Sequence, residues 1–126
     1  MDVCDLDFGR VIILRHDIAE VIINEGVEMD GAMVERYHDC LLEHLQAPFS
    51  LLINKQNAYS YDFNAQSNLA TIPEINTMAV VTYNRVSAST TETLINTPRK
   101  RKWNIQMFGD RDNAFSWLKE QQAKMT

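Results

Sequence analysis

The stretch that decides the fold runs from Ala47 to Ile72, APFSLLINKQNAYSYDFNAQSNLATI. Its apolar run, Phe49 to Ile53, is too short for a buried helix and reads as a strand covered on both faces or flanked by neighbours. An aromatic, polar turn follows from Asn57 to Asp62. Asp62 or Asn64 can then start a helix with Phe63, Leu69 and Ile72 apolar, which Pro73 stops because it withholds a helical donor. In open sheets with helices, ligands and partners gather in the crevice beyond the carboxyl ends of such strands. Any chemistry is therefore expected near Tyr59.

Upstream, β-branched residues from Val11 to Leu14 and from Ile18 to Asn24 flank Arg15-His16-Asp17 and predict a hairpin. The link Gly26-Val27-Glu28-Met29-Asp30 ends the second strand, and Asp30 is placed to cap a helix. Within Gly31 to Leu45, the residues Val34, Tyr37, Leu41 and Leu45 recur at three- and four-residue steps, while Glu35, Arg36, Asp39 and Glu43 lie mostly off that stripe. Downstream, Met78 to Tyr83 reads as a fourth strand, and Ser89-Thr90-Thr91-Glu92 has capping-box spacing before a helix reaching roughly Ile95. Pro98 and Arg99-Lys100-Arg101-Lys102 lead into an edge strand, Trp103 to Phe108, in which Ile105 and Met107 alternate with Asn104 and Gln106. Gly109-Asp110 turns into a last helix whose apolar side is Ala114, Phe115, Trp117 and Leu118, with Lys119 to Lys124 fraying into water. The predicted order is β-β-α-β-α-β-α-β-α, an α/β fold with a mixed sheet: an antiparallel hairpin, then βα units whose right-handed crossovers lay later strands parallel.

At 126 residues the chain fits one domain, 1-126, large enough to bury a core without a staple. A net charge of -5 disfavours nucleic acid, which calls for a basic excess on one face. Cys4 and Cys40 are far apart in sequence and form no metal-ligand spacing, so free thiols in a reducing compartment are the simplest account. The acidic start, Met1-Asp-Val-Cys-Asp-Leu-Asp, is unlike a secretory signal, and no apolar run approaches a membrane span. A cytoplasmic location is expected.

His38 and His44 are six positions apart, off the four-residue step that joins one helical face, and with His16 they read as surface histidines rather than metal ligands. His16-Asp17 has no accompanying nucleophile elbow, and no glycine-rich phosphate loop occurs, so no catalytic residue and no cofactor is assigned. The Arg99 to Lys102 run reads as a solvated guard on an edge strand. What remains is a rim at the ends of the third and fourth strands: Asn57, Tyr59, Ser60, Tyr61, Tyr83, Asn84 and Arg85. Tyrosine and arginine combine contact area with hydrogen-bonding tips, as at protein interfaces and pockets.

The hairpin with Gly26-Val27-Glu28-Met29-Asp30 resembles the corresponding segment of STAS domains, the SpoIIAA-type anti-sigma-factor antagonists among them. The closing segment, Asn104-Ile-Gln-Met-Phe-Gly-Asp-Arg-Asp-Asn-Ala-Phe-Ser-Trp-Leu118, looks like the end of bacterial SpoIIAA-like proteins of unassigned role. The resemblance covers nearly the whole chain in element order and implies a SpoIIAA-like domain acting through protein association. In the antagonists, a serine in an Asp-Ser turn at a helix start is phosphorylated. Here the turn is Asn57-Ala58-Tyr59-Ser60-Tyr61-Asp62, with no Asp-Ser pair and no glycine, so that switch is expected to be absent, although Ser60 is the nearest hydroxyl. The expectation is a non-enzymatic STAS-like binding domain, joining a protein partner or itself as a homodimer, with no nucleic acid and no membrane span. The alternative is a small-molecule or lipid carrier with an apolar pocket between helices and sheet, which requires space for more than a water or two.

Overall fold

A computed structural model describes residues 2–96 and 103–125. Phe49 to Ile53 is a strand: β5 (Phe49–Asn54) lies in the interior of a six-stranded sheet, paired in parallel with β3 (Ile18–Ile23) and β7 (Ile75–Val81). The predicted hairpin is β2 (Gly9–Arg15) with β3, antiparallel across the His16-Asp17 turn. A strand not expected from the sequence, β1 (Val3–Leu6), extends it, because the acidic alternation of that segment suits an edge with one wet face. The sheet runs β1-β2-β3-β5-β7-β8, closing with β8 (Ile105–Phe108) parallel to β7. Two-residue strands β4 (Glu28–Met29) and β6 (Ser60–Tyr61) pair in parallel apart from this sheet.

The helices are α1 (Gly31–His44), α2 (Phe63–Asn68), α3 (Arg85–Asn96) and α4 (Arg111–Ala123). Asp30 caps α1 and accepts the Met33 amide at 2.9 Å, as the sequence predicts. The capping box does not form: α3 begins earlier, Asn84 Oδ1 takes the Ser87 amide at 2.8 Å, and the Thr90 hydroxyl turns back to the Val86 carbonyl. An Asn with a free side chain just before Arg85 provides the donor's partner a turn sooner, so the helix has no need of Ser89.

Period-two alternation sorts each strand's side chains between two layers. Val21, Leu51 and Met78 face α1 and α2, with Leu94 of α3 packed against the same cluster. Ile18, Leu52, Ala79 and Val81 face α4 through Ala114 and Leu118. Because β5 is buried on both sides, Leu51 and Leu52 are both wholly inaccessible. The final turn of α4 is held in place and does not fray. Gln122 is buried, its Oε1 accepts from Ser50 Oγ at 2.5 Å and Asn76 Nδ2 at 2.9 Å, and its Nε2 donates to Asp17 Oδ2 and the Pro48 carbonyl at 3.0 Å each. Phe63, expected on the apolar side of α2, is 84% exposed.

Cys4 on β1 and Cys40 on α1 are joined as a disulfide, with their Cα atoms 6.7 Å apart. The expectation of free thiols is corrected here: without β1, nothing in the sequence carries Cys4 back over the first helix. Separated cysteines therefore no longer point to a reducing compartment. The basic run at positions 99–102 lies outside the described residues. Among the described residues no helix is long and apolar enough to cross a membrane.

Leu51→Ala removes a wholly buried side chain from the central strand and is expected to cost about 2–5 kcal/mol in urea unfolding. Phe63→Ala at the exposed end of α2 should stay within about 0.5 kcal/mol of the parent. Equal losses at the two positions would contradict the assignment of β5 as the core strand.

Candidate functional site

The segment after β5 is zipped onto the segment after β3. Gly26 N donates to Ala58 O at 2.7 Å, Ser60 N to Val27 O at 2.9 Å and Asp62 N to Met29 O at 2.9 Å, with Gly26 at φ 78°, a left-handed value that glycine takes without a Cβ penalty. Asn57 Nδ2 adds a bond to Ile23 O at 2.9 Å. Strand alternation then decides which way the side chains point. Tyr59 and Tyr61 pack inward against the core, while Ser60 between them is exposed.

Lys55 is the residue the sequence reading missed. Its amide continues the β5–β7 ladder to Val81 O at 3.0 Å, and it follows Leu51 and Ile53 onto the face toward α1–α3. The side chain is 7% exposed, and its Nζ lies 5.2 Å from the Tyr59 ring centroid and 5.7 Å from that of Tyr61. The two rings meet edge to face at 5.5 Å, and Tyr61 OH donates a long bond of 3.4 Å to Tyr59 OH. Among the described residues Lys55 has no carboxylate partner. Burial pushes its amine down from the usual 10.5 to about 8. Burial also raises both phenols, Tyr61 to about 12, so at neutral pH both hydroxyls keep their protons and can donate.

Lys55 and Tyr59 stand between two spaces. Inward is an apolar pocket of about 30 Å³, lined by residues that include Met29, Met78, Leu94 and Trp103, room for a water or two. Outward is an open cleft of about 440 Å³, lined by Glu25, Asn57, Tyr59, Asn84, Ser87 and Thr90 among others. The outer wall is α3, which buries only Thr91.

The predicted rim is thus divided. Asn57, Tyr59 and Asn84 share the cleft, Ser60 and Tyr61 line a neighbouring groove between α2 and α3, and neither space is lined by Tyr83 or Arg85. Tyr83 reaches the opposite face of the sheet, where its OH donates to Asn54 Oδ1 at 2.8 Å and Asn54 Nδ2 donates to Glu20 Oε2 at 2.8 Å. Arg111 of α4 grips both oxygens of Glu20, at 3.0 and 2.8 Å. Burial pushes the Glu20 carboxyl up, but the bonds from Arg111 and Asn54 outweigh it and hold the group below its ordinary range. Arg85 opens α3 as an exposed residue. Beside Ser60, Asp62 already caps α2 by accepting the Ala65 amide at 2.8 Å, so a carboxylate occupies the position a phosphate would take.

His38 is not a surface residue. It is buried, its Nε2 accepts the Ala70 amide at 3.1 Å, and burial lowers its pKa. Trp103 Nε1 donates to the carbonyl of the same Ala70 at 3.1 Å, so the end of α2 is clamped from two sides. His16 is exposed in the hairpin turn.

These elements define a mixed α/β domain, a six-stranded mixed sheet with four helices, that carries a lysine-and-tyrosine cleft beyond its central strand. Set against known proteins, the chain matches no family model, no curated protein and no solved structure.

The Lys55 amine sheds its proton near pH 8 in the folded chain and near 10.5 in the unfolded one. Between those values the unfolded state binds more protons, so stability rises with pH across that window. Lys55→Met should remove the slope and, at neutral pH, stabilise the fold by on the order of 3 kcal/mol. Urea midpoints of both proteins followed from neutral pH to about pH 10 test this, and parallel curves would contradict it.

Proposed function

We propose that this chain is a small-molecule binding domain that takes up a compact organic anion, with the carboxylate on Lys55 and the apolar body against Tyr59 in the cleft. One observation carries the reading: a lysine residue, more than nine-tenths buried, sets its amine against two tyrosine rings and has no carboxylate partner among the described residues. Buried cations are ordinarily paired, and ring faces offset only part of the desolvation cost. An anion in the cleft would complete the pairing, with the Tyr59 hydroxyl available as a donor. The cleft, at about 440 Å³, has the volume for a small acid, whereas the inner pocket of about 30 Å³ leaves no room for a lipid chain in this conformation. The SpoIIAA-like character of the fold belongs to the same proposal. The antiparallel start, the βα units that follow and the position of the cleft beyond a parallel strand support it.

Hexanoate and benzoate are suitable probes. Calorimetric titration near pH 8 should show binding with proton uptake, because an adjacent anion restores the Lys55 proton, and Lys55→Met should weaken binding at least tenfold and abolish the uptake. Equal affinity in the two proteins, or no binding of either acid to the parent, would overturn the proposal.

A second reading, association with a protein partner or a second copy, rests on a separate observation. Phe63 at the start of α2 and Val86 at the start of α3 are 84% and 77% exposed, and both lie at the carboxyl end of the sheet. If this surface joins two copies, light scattering should report a dimer that Phe63→Asp converts to monomer while hexanoate binding persists. A monomeric parent would remove the self-association form of this reading.

A further inference from the structure

Cys40 and His44 are four residues apart on α1 and so share one face of the helix, and β1 carries Cys4 up to the same place. One ligand atom from each of the three residues lies within 4.8 Å of the others. Ligands of a tetrahedral zinc ion at 2.0–2.3 Å stand roughly 3.5–3.8 Å apart, so on reduction the two sulfurs, bonded to each other in this structure, part to that spacing while the imidazole is already within reach. From this geometry we propose that, with its two thiols reduced, the chain binds a divalent ion of zinc type through Cys4, Cys40 and His44.

The donor set selects the metal. Two thiolates and an imidazole suit a borderline-soft ion such as Zn²⁺, and no carboxylate in the cluster invites magnesium or calcium. A hydrogen bond sets the tautomer of the imidazole. His44 Nδ1 lies 2.9 Å from the Cys40 carbonyl, and since a carbonyl can only accept, the proton sits on Nδ1 and the lone pair is left on Nε2. Cys40 is buried, Cys4 half-buried and His44 exposed, so the helix supplies an inner wall and solvent reaches the site from the histidine side. A water there would fill the fourth position. Binding releases two thiol protons, and two thiolates neutralise the dication, so the occupied site adds no net charge to the interior. Neither cysteine can ligate while the two are joined to each other. A phosphine reductant opens the site: phosphorus attacks one sulfur and breaks the S–S bond, and a water then gives its oxygen to the phosphine oxide and its two protons to the two sulfurs.

The test uses the full chain, reduced with such a phosphine, freed of reductant under nitrogen, and titrated with Co²⁺ and then Zn²⁺. The expected result is about one Co²⁺ per chain with a thiolate-to-cobalt charge-transfer band and tetrahedral visible bands, both bleached by Zn²⁺. The oxidised chain should take up none. Cys4→Ser should lose most of the charge-transfer intensity, and His44→Ala should weaken Co²⁺ binding at least tenfold, whereas His16→Ala should change nothing. His44 is exposed, so its variant keeps the fold and the test does not depend on buried Cys40. Uptake by the reduced parent no greater than that of Cys4→Ser, or equal affinity in His44→Ala and the parent, would overturn the site.

Discussion

The burial of one strand on both of its faces constrains everything else in this molecule. β5 alternates leucine and isoleucine toward α1–α3 with leucine and asparagine toward α4, and it has parallel partners on both edges. A strand so placed cannot slip by a single residue, because that would turn Asn54 into the apolar layer and could bring Ile53 to the polar cluster of Glu20 and Arg111. Its fixed register determines where residue 55 emerges, and therefore that an amine rather than an aliphatic side chain reaches the end of the apolar layer.

The second constraint is local. Three backbone bonds tie the exit of β5 to the exit of β3, so a segment that would otherwise be a loose loop acquires strand alternation. That alternation carries two tyrosines inward to the lysine and leaves a serine outside. The site is therefore built largely by the main chain. Its aromatic side chains shield a cation from water, while Phe63 and Val86 stay exposed at the starts of α2 and α3.

Much of this architecture is legible in the sequence, and the misses share a cause. Long periodic segments announce themselves: the α1 stripe with its Asp30 cap, the β2–β3 hairpin and the apolar run of β5 all appear where patterning places them. β1 carries only Val3, Cys4 and Leu6 among acids and becomes a strand only because β2 offers it an edge. β4 and β6 are two residues each, below the length at which periodicity has meaning. The Tyr-Ser-Tyr alternation was nonetheless a readable signal that its tyrosines point one way, and the pairing of Cys40 with His44 at a four-residue step was another. The division of the rim was not readable, because the direction of Tyr83 depends on Asn54, Glu20 and Arg111, which come together from three separate segments.

Gln122 gives the end of the chain a significance its composition hides. It joins the last turn of α4 to atoms from Asp17, Pro48, Ser50 and Asn76, residues that all lie near the starts of β3, β5 and β7. Sliding α4 along the sheet by one turn would still bury small and aliphatic side chains, so apolar packing alone discriminates poorly between neighbouring positions. Such a slip would, however, leave several dry polar atoms with no answering group. A single amide thus serves as an alignment pin, excluding mis-docked arrangements that a purely greasy seam would tolerate.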